Sequence, residues 1–426
     1  MKLIRYEPRI SMNGEDIQEV AEVDFVSTAS ANTANIQAIN RLFEQARNYE
    51  RTETGPKVYI EFDPGTSGTA WRSRVKTGGV ILHNTILGPW QYDTRFRLKI
   101  EWTRQPFWEG ALTQIPLTNA SATDDTAGIT ITNANDATAE NWVSIKAADV
   151  VGDLPAPIKL QMYNSKNGAD ETDEIYVFHN VHSTPASLDH ILEGEDATGA
   201  GITDTGDATD SGDFFASIAW TATTETLVAT WALASADLDY MAGGRFAILA
   251  RWDAAFPYTN VWLRLKLEGT SSVLYTGNLS LIPDLRGLHW LDTFRLPPYL
   301  AGQANLKGVN LKLYALRNTA GEHTIALDYL MLGAISGDNG WKRFVSVDVG
   351  IAYQEYFTHD DTEGFTYRTD TSADIIAEFT GYGGPILLTP NAVQKLYFLT
   401  ADENGLAKVD QTWTIKLWYR PRRNSL

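Results

Sequence analysis

At 426 residues, 43% of them apolar and 11% aromatic, the chain has material for more than one hydrophobic core and cannot be a disordered tether. Its formal charge of −18 argues against a general nucleic-acid coat, which needs a basic surface, and the absence of Cys excludes disulfide staples, thiolate metal sites and Cys nucleophiles. No apolar run approaches the ~18 residues of a membrane span, and charges interrupt the opening MKLIRYEPRI, so neither a span nor an export signal is predicted.

In chain order, the first predicted element of note is a helix from Thr33 to Tyr49, where Ile36, Ile39, Leu42, Phe43 and Ala46 form one apolar stripe suited to lying across a sheet. In TRFRLKIEW, Phe96, Leu98, Ile100 and Trp102 alternate with charged residues, the period of a half-buried antiparallel strand. The stretches Leu117–Glu140 and Gly194–Asp213, built from Thr, Ala, Asp, Gly, Asn and Ser, read as exposed loops or linkers. Strand alternation returns in Val261, Leu263, Leu265 and Leu267, and again in Trp413, Ile415, Leu417 and Tyr419.

Charge divides the chain further. Residues 1–115 hold 14 Lys and Arg against 14 Asp and Glu, residues 341–426 hold 9 against 11, and residues 116–340 hold 12 against 28. Neutral flanks can pack subunit to subunit, whereas the acidic middle is more easily tolerated on a solvated surface. The expected blocks are a β domain with one helix at 1–115, a connecting or galectin-like β region at 116–187, a β-sandwich at 188–340 and a C-terminal β domain at 341–426. Residues 188–333 carry a full set of alternating strands between loop-like boundaries and are expected to fold alone.

Catalytic signals are sparse. The seven His are scattered, with only His179 and His182 close together, and a strand or loop would not present them as a helical HExxH pair. No nucleophile elbow, Walker loop or dinucleotide fingerprint stands in a strand-to-helix setting. Paired carboxylates of a glycosidase cannot be recognised from spacing alone, but most acidic clusters lie in Gly-, Thr- and Ala-rich loops that are poor supports for a rigid acid–nucleophile pair. The chain therefore reads as a non-enzyme.

Four stretches carry family resemblances. Glu193 and Glu195 in LEGED, Gly244–Arg251 in GRFAILAR and Asp328 in HTIALDYLML resemble the opening, middle and closing strands of family 6 and family 35 carbohydrate-binding jelly rolls. That resemblance implies a structural calcium held by Glu193, Glu195 and Asp328, with the alternative that Asp328 merely ends a buried strand and pairs with backbone donors. It also implies sugar stacking on Trp252, Tyr258, Trp262 and Tyr299, the alternative being that these rings pack in a core or against a neighbouring domain. The order from the helix through WRSRVKTGGVIL to WTRQPFWEG resembles the N-terminal ring domain of distal tail proteins of long-tailed phages, and GDLPAPIKLQMYN resembles the turn entering their galectin-like domain. GYGGPILLTPNAVQKLYFL followed by YRPRR is similar to C-terminal parts of phage tail components.

Together these resemblances imply a mostly β virion structural protein of a phage tail. It would form a trimeric or hexameric ring with other tail proteins as partners and a host-surface glycan as a further ligand. It would need no cofactor beyond the calcium. A tail-tube subunit with a decorating domain and a soluble glycan-binding or glycan-cleaving protein are the alternatives.

Overall fold

A computed structural model describes residues 2–10, 16–26, 29–63, 70–82, 95–119, 122–132, 141–165, 171–182, 191–206, 214–233, 244–253, 260–269, 272–281, 287–295, 309–335, 340–347, 350–376, 379–401 and 412–424. Among these the protein is mostly β, built from antiparallel sheets with a single α-helix. It forms two compact units, one of residues 1–112 with 152–154 and 420–426, the other of residues 113–151 with 155–419.

The first unit is one seven-stranded sheet. Strands Lys2–Ile10, Ile17–Val26, Arg95–Arg104, Trp71–Leu82, Trp108–Glu109 and Arg422–Arg423 follow one another across it, and Tyr59–Phe62 also pairs with Trp71–Leu82. The alternation in TRFRLKIEW puts Leu98, Ile100 and Trp102 in the core beside Ala21, Val23 and Val75. The helix, Ala29–Thr52, closes that core with Phe43 and Ala46. Its approach depends on Gly78, where a Cβ would overlap the Phe43 ring.

The helix is longer than the predicted Thr33–Tyr49, and Leu42, expected in the apolar stripe, is 48% exposed. One sheet face is covered by a stripe narrower than the sequence offers. Within the sheet, Glu19 is buried but receives Arg104 at 2.8 Å and the Trp102 indole N–H at 2.8 Å, so the buried carboxylate is both paired and hydrogen-bonded. The end of the chain returns to this unit, where Arg422 makes two hydrogen bonds, of 2.8 and 3.1 Å, to one oxygen of Glu109.

The second unit is a stack of four sheets. An eight-stranded sheet centred on Ala156–Asn164 and Thr412–Tyr419 faces a five-stranded sheet centred on Glu174–His182 and Val393–Ala401. Ile158, Leu160, Ile415 and Leu417 from the first meet Ile175, Val177, Leu396 and Phe398 from the second in a continuous core. These two sheets form a carrier sandwich drawn from residues 113–182 and 340–419.

Between its adjacent, paired strands Glu174–His182 and Gly340–Ser346 the chain leaves to build a second sandwich and returns. The inserted sandwich has a six-stranded inner sheet, centred on His323–Ala334, and a five-stranded outer sheet, centred on Trp262–Glu268 and Asn310–Leu316. The predicted alternation holds in the outer sheet, where Val261, Leu263, Leu265 and Leu267 are all buried.

A third apolar layer lies between the sandwiches. Tyr176, Phe178, Tyr397 and Leu399 of the carrier pack against Ala247, Leu249, Tyr329 and Met331 of the insertion. Gly333 admits Phe178, whose ring a Cβ there would overlap. The outer face of the inner inserted sheet is therefore buried within the same compact unit.

Both low-complexity stretches expected as loops or linkers contain paired strand. Ile129–Thr132 pairs with Thr412–Ile415, burying Ile129 and Ile131, and Ile202–Gly206 forms an edge strand on Phe214–Trp220. Composition alone favours loop here, but available strand edges elsewhere in the chain recruit these residues.

Candidate functional site

Two of the residues proposed to hold calcium, Glu193 and Asp328, lie at a defect in the inner inserted sheet. Strands Arg245–Trp252 and His323–Ala334 run in register until Arg251 faces Tyr329 and Trp252 faces Leu327, which leaves Asp328 as the extra residue of a β-bulge. The first strand of the insertion, Ile191–Glu193, pairs at the same place, with Glu193 opposite Tyr329. Gly194 then donates its backbone N–H to the Asp328 carbonyl, and a Cβ there would collide with the Leu327 carbonyl.

Glu193 and Asp328 are thus neighbours along paired strands. The cation facing Asp328, however, is the buried Arg251 guanidinium, joined to it by a salt bridge. Glu195 lies further out. Burial, reinforced by Asp196 and Asp204 and opposed by a backbone hydrogen bond, pushes its carboxyl above the ordinary value. Among the described residues no three His, Asp or Glu side chains gather as a metal-holding group.

The aromatic candidates separate. Trp252, expected as a stacking platform, is only 1% exposed and lies in the core with Phe246, Ile248 and Ala250. Its strand, RFAILARW, is covered on both faces, and the unbroken apolar run in FAILA is the sequence signal of such a strand. Trp262 lies half-buried on the solvent side of the outer sheet, since its neighbours Val261 and Leu263 point inward. Tyr258 and Tyr299 lie outside the described residues. Around Trp262's sheet the surface is charged: Arg264 and Lys266 share Glu225, and Lys312 and Tyr314 both donate to Glu268. The bond from Lys312, together with that from Tyr314 and the nearby lysine charges, outweighs burial and lowers the Glu268 pKa.

Two surface features escaped sequence reasoning. Trp290, 40% exposed, meets Trp341 with ring centroids 5.0 Å apart and planes at 51°. An open groove of about 350 Å³ lies at one end of the inserted sandwich, between the Ala200–Gly201 turn and the facing ends of strands Phe214–Trp220 and Thr226–Ala232. Trp290 and Trp341 lie on strands far apart in the chain, so their meeting has no local sequence signature, and the groove, although lined mostly by residues between 200 and 228, depends on how a turn and two strand ends fold against one another.

Of the His pair in VFHNVH, His179 is fully buried and shares a 2.9 Å hydrogen bond with Gln394. His359 belongs to a buried polar network, 3.0 Å from Asp361 and 2.8 Å from the Thr366 hydroxyl. Burial pushes the Asp361 carboxyl up, but the hydrogen bond from His359 and the nearby charges of His359 and Lys342 outweigh it and hold the carboxyl below its ordinary range. No helix among the described residues is long and apolar enough to cross a membrane.

No protein-family model matches the chain, and no curated protein matches it. Among solved structures it is similar to that of infectious bursal disease virus Gt strain, at 7% identity and a TM-score of 0.19 over 74% of this chain and 79% of the other. A crystal structure of the infectious bursal disease virus VP2 subviral particle is similar at 10% identity and a TM-score of 0.19, over 73% and 80%.

Proposed function

We propose that the chain is a non-enzymatic structural protein of a virion, a distal tail or tail-tip component of a long-tailed phage, which assembles as a ring and carries the inserted sandwich as an adhesive module. The observation that carries this reading is the way the chain is interrupted. A complete second sandwich leaves and re-enters the carrier between two strands that pair with each other, so it can be added without altering the carrier's own core. The sequence resemblances of the flanking segments to tail components point the same way, as does the confinement of excess acid to residues 116–340.

The first unit also presents isolated large apolar side chains, Leu42 and Phe62, at 48% and 47% exposure. In an assembly such residues are covered by the neighbouring copy, and the closed symmetry of a ring protects sheet edges in the same way. Electron microscopy and light scattering of the purified full-length chain at micromolar concentration test the proposal. Rings are expected, and Leu42→Asp combined with Phe62→Asp is expected to shift them toward monomer without unfolding the chain. A wild-type monomer that is also missing from purified virions sinks the reading.

A further inference from the structure

From the groove at the end of the inserted sandwich we infer a binding site for one or two residues of a neutral sugar chain, with Trp220 as its internal donor; this rests on the adhesive role proposed above. Trp220 lines the groove yet is only 6% exposed, and its indole N–H has no hydrogen-bond partner among the described residues. Burying such a donor unpaired costs about 1–3 kcal/mol, a cost that an acceptor supplied by a ligand would relieve.

The ring is also held in place. Its edge meets His323 at 5.4 Å between centroids, and His323 is fixed by Arg317 on Nδ1 and by donation from Nε2 to the Thr319 carbonyl, both at 2.7 Å. Since the guanidinium can only donate, Nδ1 accepts, and Nε2 carries the proton given to Thr319. Two glycines shape the wall behind it. At Gly201 a Cβ would collide with the Ala219 carbonyl, and at Gly199 with that of Val228, so the turn lies directly against both strands.

The lining chooses the ligand class. Leu227, Val228 and Ala222 offer apolar surface, while Thr221, Thr226 and Glu322 offer hydroxyl and carboxylate oxygens. That mixture matches a pyranose, which has apolar C–H faces and a polar rim. The volume is near the lower end of the ~300–1,000 Å³ typical of small-ligand clefts, enough for a short sugar segment rather than a long one. Charge removes the anionic glycans: among the described residues the groove's one charged lining side chain is Glu322, and the sequence block 116–340 around it holds 28 acidic against 12 basic residues. A uronate or phosphate-bearing polymer would meet repulsion there.

The test uses the full-length protein on an array of short neutral gluco-, manno- and galacto-oligosaccharides, with polygalacturonate as the anionic control. Binding to at least one neutral family is expected, and none to polygalacturonate. Leu227→Arg, at an exposed rim position, is expected to weaken binding at least tenfold. Trp220→Phe, which keeps a ring but removes the donor, is expected to weaken it by about tenfold while the protein still melts cooperatively, whereas Trp290→Ala on the exposed tryptophan pair leaves it intact.

Neutral-sugar binding that survives both groove substitutions overturns the groove but spares adhesion, and loss on Trp290→Ala moves the site to the Trp290–Trp341 pair. Binding only to polygalacturonate overturns the charge argument and with it the site. No binding to any sugar overturns the site and the adhesive role together, whereas the ring assembly is judged separately by microscopy.

Discussion

The interior of the inserted sandwich and the layer that joins it to the carrier are both apolar, but they are made differently. Among the described residues the interior holds 26 buried apolar residues, aliphatic apart from Trp and Phe. The joining layer has 8, of which Tyr176, Tyr329 and Tyr397 are three, and the Arg251–Asp328 ion pair lies at the bulge beside it. Tyrosines at three of eight positions and a paired charge are the composition of an interface between partners, whereas an interior with aliphatic side chains at 21 of 26 positions is that of a self-sufficient core. The contrast teaches that the insertion is a module with its own core, docked on its carrier through an interface-like surface.

The largest effect is expected where that surface holds buried charge. Arg251→Ala removes the guanidinium from beside Asp328, which has zero exposure, and should cost about 3–5 kcal/mol, while the double replacement Arg251→Met with Asp328→Leu should recover most of the loss. Chemical denaturation of the three proteins checks this, and a double variant as unstable as the single one would mean the pair does more than neutralise itself.

Phe178→Ala empties the central knob of the joining layer and should cost about 3–5 kcal/mol, and Gly333→Val, which overpacks the same contact, about 1–3 kcal/mol. If the layer is the weaker joint, both variants should split one melting transition into two, with the later one belonging to the inserted sandwich. A single transition lowered as a whole would show that the two sandwiches unfold together and would erase the contrast between core and interface.

A smaller effect belongs to the carrier. The Asp361 carboxyl is held below its ordinary value, so its ion pairs stabilise the protein above the unfolded pKa of about 3.9 and are lost as pH falls through the lower folded value. Asp361→Asn should therefore flatten the acid limb of the stability curve below about pH 4 and cost about 1.5–3 kcal/mol near neutrality through the lost charged hydrogen bonds. Melting curves taken across the acid range measure both, and an acid limb unchanged by the substitution would assign acid sensitivity to other groups.

Local pattern was enough to establish much of this protein. The mostly β class, the single helix, and the inward faces of Leu98–Trp102, Val261–Leu267 and Trp413–Tyr419 all follow from residue spacing. What only the tertiary structure decided was which partner covers each face. Trp252 belongs to a strand packed on both sides and cannot stack on a ligand, Asp328 meets Arg251, and Leu42 points away from the core its helix otherwise closes. The groove beside Trp220 exists only because Gly199 and Gly201 bring a turn against two strands. Alternation along a strand is a property of adjacent residues, but the identity of the opposing surface depends on pairings between residues such as 178 and 333, separated by more than the whole insertion's first strands and set by packing that no short window of sequence contains.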